Sequence, residues 1–210
     1  EDLARTFRES TPPDKLRFTR YDPEPQIVGK TLAEVAKERG GDPIEVYLAL
    51  MKKVIDYESA HPELEHAESV IGESMSEQDV VALMRWEHAN ICSDGWAGGH
   101  PRGYGTFPRV LGHYVREKKV LTLEQAVHKM TGLAAQHLGI TDRGTLAAGK
   151  AADLVLFDPE TIIDRATLEK PKALAVGIEK VWVNGELVFQ DRRTTGAKPG
   201  RVLRPAIESE

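Results

Sequence analysis

A single cysteine in 210 residues, Cys92, excludes an internal disulfide framework and fits a reducing compartment, so a cytoplasmic location is the expectation. No apolar run approaches the roughly 20 residues needed to span a bilayer. Neither sign of charge forms a long block: 28 basic and 33 acidic residues give a net charge of −5. Phosphate binding needs a basic stripe, so nucleic acid is not an expected partner, and the lack of a spanning apolar run makes a membrane an unexpected one too. The opening Glu1-Asp2-Leu3-Ala4-Arg5 is charged and lacks the apolar core of a secretory signal. A start on Glu1 rather than on an initiator methionine suggests a processed or excised piece. There is no internal repeat and no low-complexity segment. Gly29-Lys30-Thr31 invites a phosphate-loop reading, but Glu24 stands where that motif needs glycine. The seven histidines include no His-Glu-x-x-His zinc pattern, and no two are spaced i,i+2.

What is present is ordinary for a globular protein: 40% hydrophobic and 29% charged residues, long enough for one large domain or a medium and a small one. Residues 1–14 are polar and read as a loop or a frayed helix. Lys15–Arg20 alternates apolar and polar side chains, as a half-buried strand should. Thr31-Leu-Ala-Glu34 is a capping box opening a helix that Gly40-Gly41 stops. Asp42-Pro43-Ile44-Glu45 opens another, with Ile44, Tyr47, Leu48, Met51, Val54 and Ile55 as its core-facing stripe. Tyr57–Ala67 reads as an acidic loop, with His61 and His66 on solvated surface. Ser69–Gly72 is a short strand, and Ser76-Glu-Gln-Asp79 starts the next helix. Strand, helix and a further strand over Ala89–Cys92 suggest βα units feeding a parallel sheet. Arg109–Glu117, a segment capped by Thr122, and Thr131–Leu138 read as helices. His113 with Glu117 and Glu124 with His128 stand at i,i+4, as surface pairs do. From Gly144 the chain turns β-rich. Gly144–Lys150 reads as a short strand and turn, and Asp153–Phe157 as a buried strand. Val181–Phe189 reads as a hairpin whose Asn184-Gly185 fits a type I′ turn.

The densest stretch is Ala89–Pro108. A short apolar run ends in Asp94-Gly95. A loop follows with Gly98, Gly99, Gly103 and Gly105, two prolines, and His100, Arg102 and Tyr104. On a strand, Cys92 and Asp94 share one face. A buried strand that delivers one Asp to a polar glycine-rich loop is how α/β proteins build sites. Asp-Gly is also a common turn former, and a lone His or Arg in a loop is often only structural. The concentration of such groups in one loop favours a site, because loops held by a scaffold carry function disproportionately.

These residues resemble a known family. Ile91-Cys-Ser-Asp94-Gly95 and His100-Pro-Arg-Gly-Tyr-Gly-Thr-Phe-Pro-Arg-Val-Leu111 are similar to the last barrel strand and following loop of the N-acyl-D-amino-acid deacylases (D-aminoacylases), in the amidohydrolase superfamily. Leu123–Val127, Met130–Leu133, Gly149–Pro159, Gly177–Gly185 and Pro199–Leu203 agree. The resemblance covers residues 68–205 well and the first third loosely. It implies an α/β fold, the C-terminal part of a metal-dependent (β/α)₈ barrel over residues 1–143 with part of a small β-sandwich over 144–210. The implied activity is zinc-dependent hydrolysis of the amide of N-acyl-D-amino acids. Asp94 matches the strand-eight aspartate that contacts the metal and takes the proton of the attacking water. The substrate-binding candidates are Ser93, His100, Arg102 and Tyr104. Arg102 suits a substrate carboxylate through its planar fork.

The departures from the family pattern are as informative. The first-strand His-x-His pair is absent, the mid-barrel ligands have no clear counterpart in residues 1–88, and Cys92 does not stand where the family's ligand cysteine does. A full barrel typically needs about 250 residues. The expectation is a C-terminal segment of a deacylase, inactive alone, whose partner is the missing N-terminal half. Two alternatives stay open: a non-catalytic scaffold subunit with a degenerate barrel, and another amidohydrolase such as a dihydroorotase-like ring opener.

Overall fold

The computed structural model describes residue 5 and residues 11–64, 66–95, 100–168 and 170–204. The expected glycines at 98 and 99, and most of the expected N-terminal loop, lie outside them. The chain divides into two compact units, one essentially Glu1–Ser76 and the other Glu77–Gly95 with Pro101–Thr167 and Lys172–Glu210.

In the first unit, β1 (Leu16–Tyr21) and β2 (Glu68–Gly72) pair antiparallel, with Leu16 opposite Gly72 and Tyr21 opposite Glu68. The alternation in β1 puts Leu16, Phe18 and Tyr21 inward, with a register shift between Phe18 and Arg20. Helix α1 (Leu32–Arg39) starts at the capping box read from sequence: Thr31 Oγ1 accepts from Glu34 N–H, and the Glu34 carboxylate accepts from Thr31 N–H at 2.7 Å. Gly40 ends it at φ 69°, where a left-handed cap favours glycine. Helix α2 (Pro43–Ala60) is capped by Asp42, whose carboxylate accepts from Ile44 and Glu45 N–H. Phe18, Leu32 and Leu50 are completely buried between these elements. Tyr21 lies edge-on to Phe18 and donates to Leu50 C=O at 2.8 Å. Burial there pushes its phenol up to about 12.

Two expectations for α2 need correction. The helix continues through Tyr57 to Ala60, where a loop was expected. Its buried line is Val46, Leu50 and Val54, with Ile44, Tyr47 and Met51 packed beside it, while Leu48 and Ile55 are exposed. Helical geometry puts those two about 180–200° around the axis from Val46.

The second unit holds α3 (Glu77–Arg85), α4 (Arg102–Arg109), π-helical turns over Val110–Glu117, α5 (Leu123–Met130), α6 (Gly132–His137) and four strands. These are β3 (Leu154–Phe157), β4 (Ile178–Val183), β5 (Glu186–Gln190) and β6 (Arg193–Thr194), antiparallel in that order. Val110, Leu111, Leu121, Ala126 and Ile162 form its core. The hairpin turn takes Asn184 at φ 49° and Gly185 at φ 83°, the signs a type I′ turn requires. Asp153 fastens that turn. Its carboxylate accepts from Asn184 N–H at 2.8 Å and pairs with Arg143.

Three further expectations are not met. Among the described residues every strand pair is antiparallel, so no parallel sheet is present. Residues 144–150 form turns without a strand. In β3, Val155 and Leu156 are exposed rather than buried.

Candidate active site

Residues 89–95 form no strand. With no neighbouring strand, the segment finds its hydrogen bonds elsewhere: Ala89 N–H donates to Trp86 C=O, and Ile91 N–H donates to Lys129 C=O on α5 at 3.1 Å. Lys129 also reaches back with its side chain. Only 5% exposed, its ammonium donates to Trp86 C=O at 2.5 Å and Ala89 C=O at 2.9 Å, with Glu87 C=O at 3.5 Å.

Asp94 therefore ends an irregular segment and not a strand, and the expected shared face with Cys92 has no pleat to create it. Its φ is 44°, a left-handed conformation that Asp tolerates better than most residues. The side chain is 72% exposed and points toward Arg102, the first residue of α4. Arg102 Nη2 lies 2.8 Å from Asp94 Oδ2, and Arg102 Nε donates to Asp94 C=O at 3.0 Å. The two residues singled out most strongly by sequence are thus brought together, with the guanidinium gripping the carboxylate rather than standing apart to meet a substrate.

The other candidates are placed differently. Ser93 Oγ accepts from Gly95 N–H at 3.2 Å, closing a local turn. Tyr104 is half-buried on α4, where a helix and not the expected loop runs through Gly103, Gly105 and Pro108. Two positions apart on a helix, Arg102 and Tyr104 lie about 200° apart around its axis. His100 is half-buried and groups with the first unit.

Gly105 and Gly112 mark where another segment closes on this helix. A Cβ on Gly105 would lie 2.9 Å from Asp164 Cβ, and one on Gly112 would strike Ile162 C=O. The segment around Ile162–Ala166 lies directly on this helix face, and only glycine admits it. The turns over Val110–Glu117 then widen to the π form. They carry a polar cluster that sequence reading reduced to one surface pair. His113 Nδ1 lies 3.0 Å from Glu117 Oε2, and Tyr114 donates to Glu77 Oε2 at 3.2 Å. Burial foremost, then the Glu77 charge, pushes the Tyr114 phenol up.

The family model for the amidohydrolase family matches residues 5–189. The chain belongs to the amidohydrolase family. Within it, the chain is 44% identical to the D-aminoacylase of Alcaligenes xylosoxydans over 184 residues, 86% of this chain and 35% of that protein. A solved D-aminoacylase structure, described for its binuclear metal centre, superposes with a TM-score of 0.75 at 41% identity, covering 90% of this chain and 37% of the other. The N-acyl-D-glutamate deacylase of Bordetella bronchiseptica, solved with zinc and a phosphonate mimic of the tetrahedral intermediate, gives 0.77 at 36% identity, covering 95% and 39%. The chain thus spans little more than a third of the length of these amidohydrolases. A dihydroorotase of Lactobacillus acidophilus matches more weakly, at 30% identity over 53% of this chain. The D-aminoacylase resemblance and the amidohydrolase fold are thereby established.

Solved relatives carry metal, and these residues do not by themselves make a metal site. Among the described residues no three His, Cys, Asp or Glu side chains come together in a way that could hold an ion. Asp94 is a single donor group, and catalytic zinc usually rests on three protein ligands. Among the described residues no helix is long and apolar enough to cross a membrane.

Proposed function

We propose that this chain forms part of a zinc-dependent hydrolase that cleaves the amide bond of N-acyl-D-amino acids. The observation that carries the reading is the 44% identity to a D-aminoacylase over 86% of this chain. Asp94 is this chain's donor toward the metal and the acceptor of the attacking water's proton, which it passes to the leaving amine. Arg102 exchanges its hold on Asp94 for the substrate's free carboxylate, and Ser93, His100 and Tyr104 are the further substrate-binding candidates. The other metal ligands belong to the remainder of the whole enzyme. In that enzyme, residues 1–143 belong to a (β/α)₈ barrel and residues 144–210 to a small β-sandwich. The antiparallel β3–β6, all within the tail, support the second assignment. The lone Cys92 supports a cytoplasmic setting.

Release of free amine from N-acetyl-D-amino acids by the whole protein tests this. Asp94→Asn should lower kcat/KM by about 10²–10⁴-fold, as removal of a positioned general base does. Hydrolysis within a few-fold of the parent would remove the role given to Asp94. Ring opening of dihydroorotate without deacylation would move the substrate class, and inertness toward both would leave the scaffold reading.

A further inference from the structure

We propose that Lys129 is a positioning residue for Asp94, holding the segment that delivers this carboxylate from outside the reacting groups. This rests on the role given to Asp94 above. Lysine is rarely as buried as 5% exposed unless it is paired. Among the described residues Lys129 meets no carboxylate. Its partners are the carbonyls of Trp86, Glu87 and Ala89, three acceptors for the three N–H bonds of an ammonium. They follow directly on α3, whose C-terminal end favours a cation. The backbone of the same residue accepts from Ile91 N–H at 3.1 Å. One residue of α5 therefore holds residues 86–91 through both its side chain and its backbone, and Arg102 grips the same segment again at Asp94. Between the two clamps lie only Cys92 and Ser93. A segment without ladder partners would otherwise sample many conformations, and Asp94 would move with it.

The first test reads the segment without any activity. Amide hydrogen exchange is followed in this chain for Lys129→Met, which keeps the stem and removes the donors. Exchange at Ala89 and Ile91 should rise by about tenfold or more, while Ala126 on α5 keeps its protection. Unchanged exchange at Ile91, or a uniform rise that includes Ala126, overturns the proposal. The second test uses the whole enzyme on N-acetyl-D-amino acids. Lys129→Met should cost about 10²-fold in kcat with KM nearly unchanged, as a misplaced reacting group does. Parent-like kcat overturns the proposal even if exchange rises. If Lys129→Met does not fold, Lys129→Arg decides. Retained donors should keep parent-like protection at Ile91, and a local loss there overturns the idea. An inactive parent would defeat the deacylase reading instead, and the exchange data would still judge the clamp.

Discussion

Arg102 contacts Asp94 twice, through its carboxylate and its carbonyl, and this sets what each substitution should do. Asn shares the tolerance of Asp for the φ of 44° at position 94, so Asp94→Asn changes charge without forcing the backbone. Arg102→Lys keeps the charge and loses the planar fork. In the whole enzyme it should raise KM for carboxylate-bearing substrates about tenfold with a smaller change in kcat, read from steady-state kinetics. An unchanged KM would detach Arg102 from substrate binding and leave it only as the clamp on Asp94. At this scale the sequence was informative about identity and silent about pairing. Asp94 and Arg102 stood out because polar groups crowd one glycine-rich stretch. Lys129 did not, because a lysine in the last turn of a capped helix reads as a dipole partner facing water. Only the three converging carbonyls reveal it.

Among the elements, those whose ends are written in side chains were legible. Thr31, Asp42 and Thr122 cap helices where their hydroxyl or carboxylate oxygens accept the first free N–H groups. Elements decided by tertiary contact were not. Apolar residues surround most of α2, so periodicity alone could not choose between Val46 and Leu48 as the buried side. Glycine and proline argued against α4, yet the close approach of Ile162–Ala166 requires glycine there. Gly112→Ala should therefore destabilise the second unit by about 1–3 kcal/mol, the usual cost of overpacking, seen as a lowered melting temperature. The first unit has an electrostatic counterpart. Glu24 accepts from Lys53 at 2.6 Å on α2 and from Arg39 at 2.8 Å on α1. The Lys53 hydrogen bond foremost, with the Arg39 charge, holds its carboxyl below the usual range. A depressed carboxyl stabilises the folded state fully above its unfolded pKa of about 4.3 and loses that effect as pH falls through the lower folded value. Both cations are partly exposed, so Glu24→Gln should cost only about 1 kcal/mol at neutral pH. The difference from the parent should vanish on acidification, followed by denaturant titration at several pH values.

For the molecule as a whole, the donor count and the exposed surface bear on the same outcome. The described residues offer Asp94 where catalytic zinc asks for about three protein ligands, and one exposed carboxylate competes poorly with water for the ion. The isolated 210-residue chain should therefore take up zinc weakly in calorimetry and release no amine from N-acetyl-D-amino acids. The surface points the same way. Leu48 and Ile55 are exposed on α2 in the first unit. In the second, Val155 and Leu156 are exposed on β3, which pairs on one side with β4 and stands at the edge of its sheet. An uncovered edge strand with apolar side chains templates pairing with another chain. Sedimentation velocity on the isolated chain should show association that grows with concentration, and Val155→Lys should reduce it by placing a charge on that edge. On the proposed function, supplying the rest of the whole protein should suppress association and bring zinc uptake and hydrolysis together. A chain that stays monomeric at high concentration and binds zinc tightly unaided would show that its single donor is not the whole site, and the division of ligands proposed above would have to be abandoned.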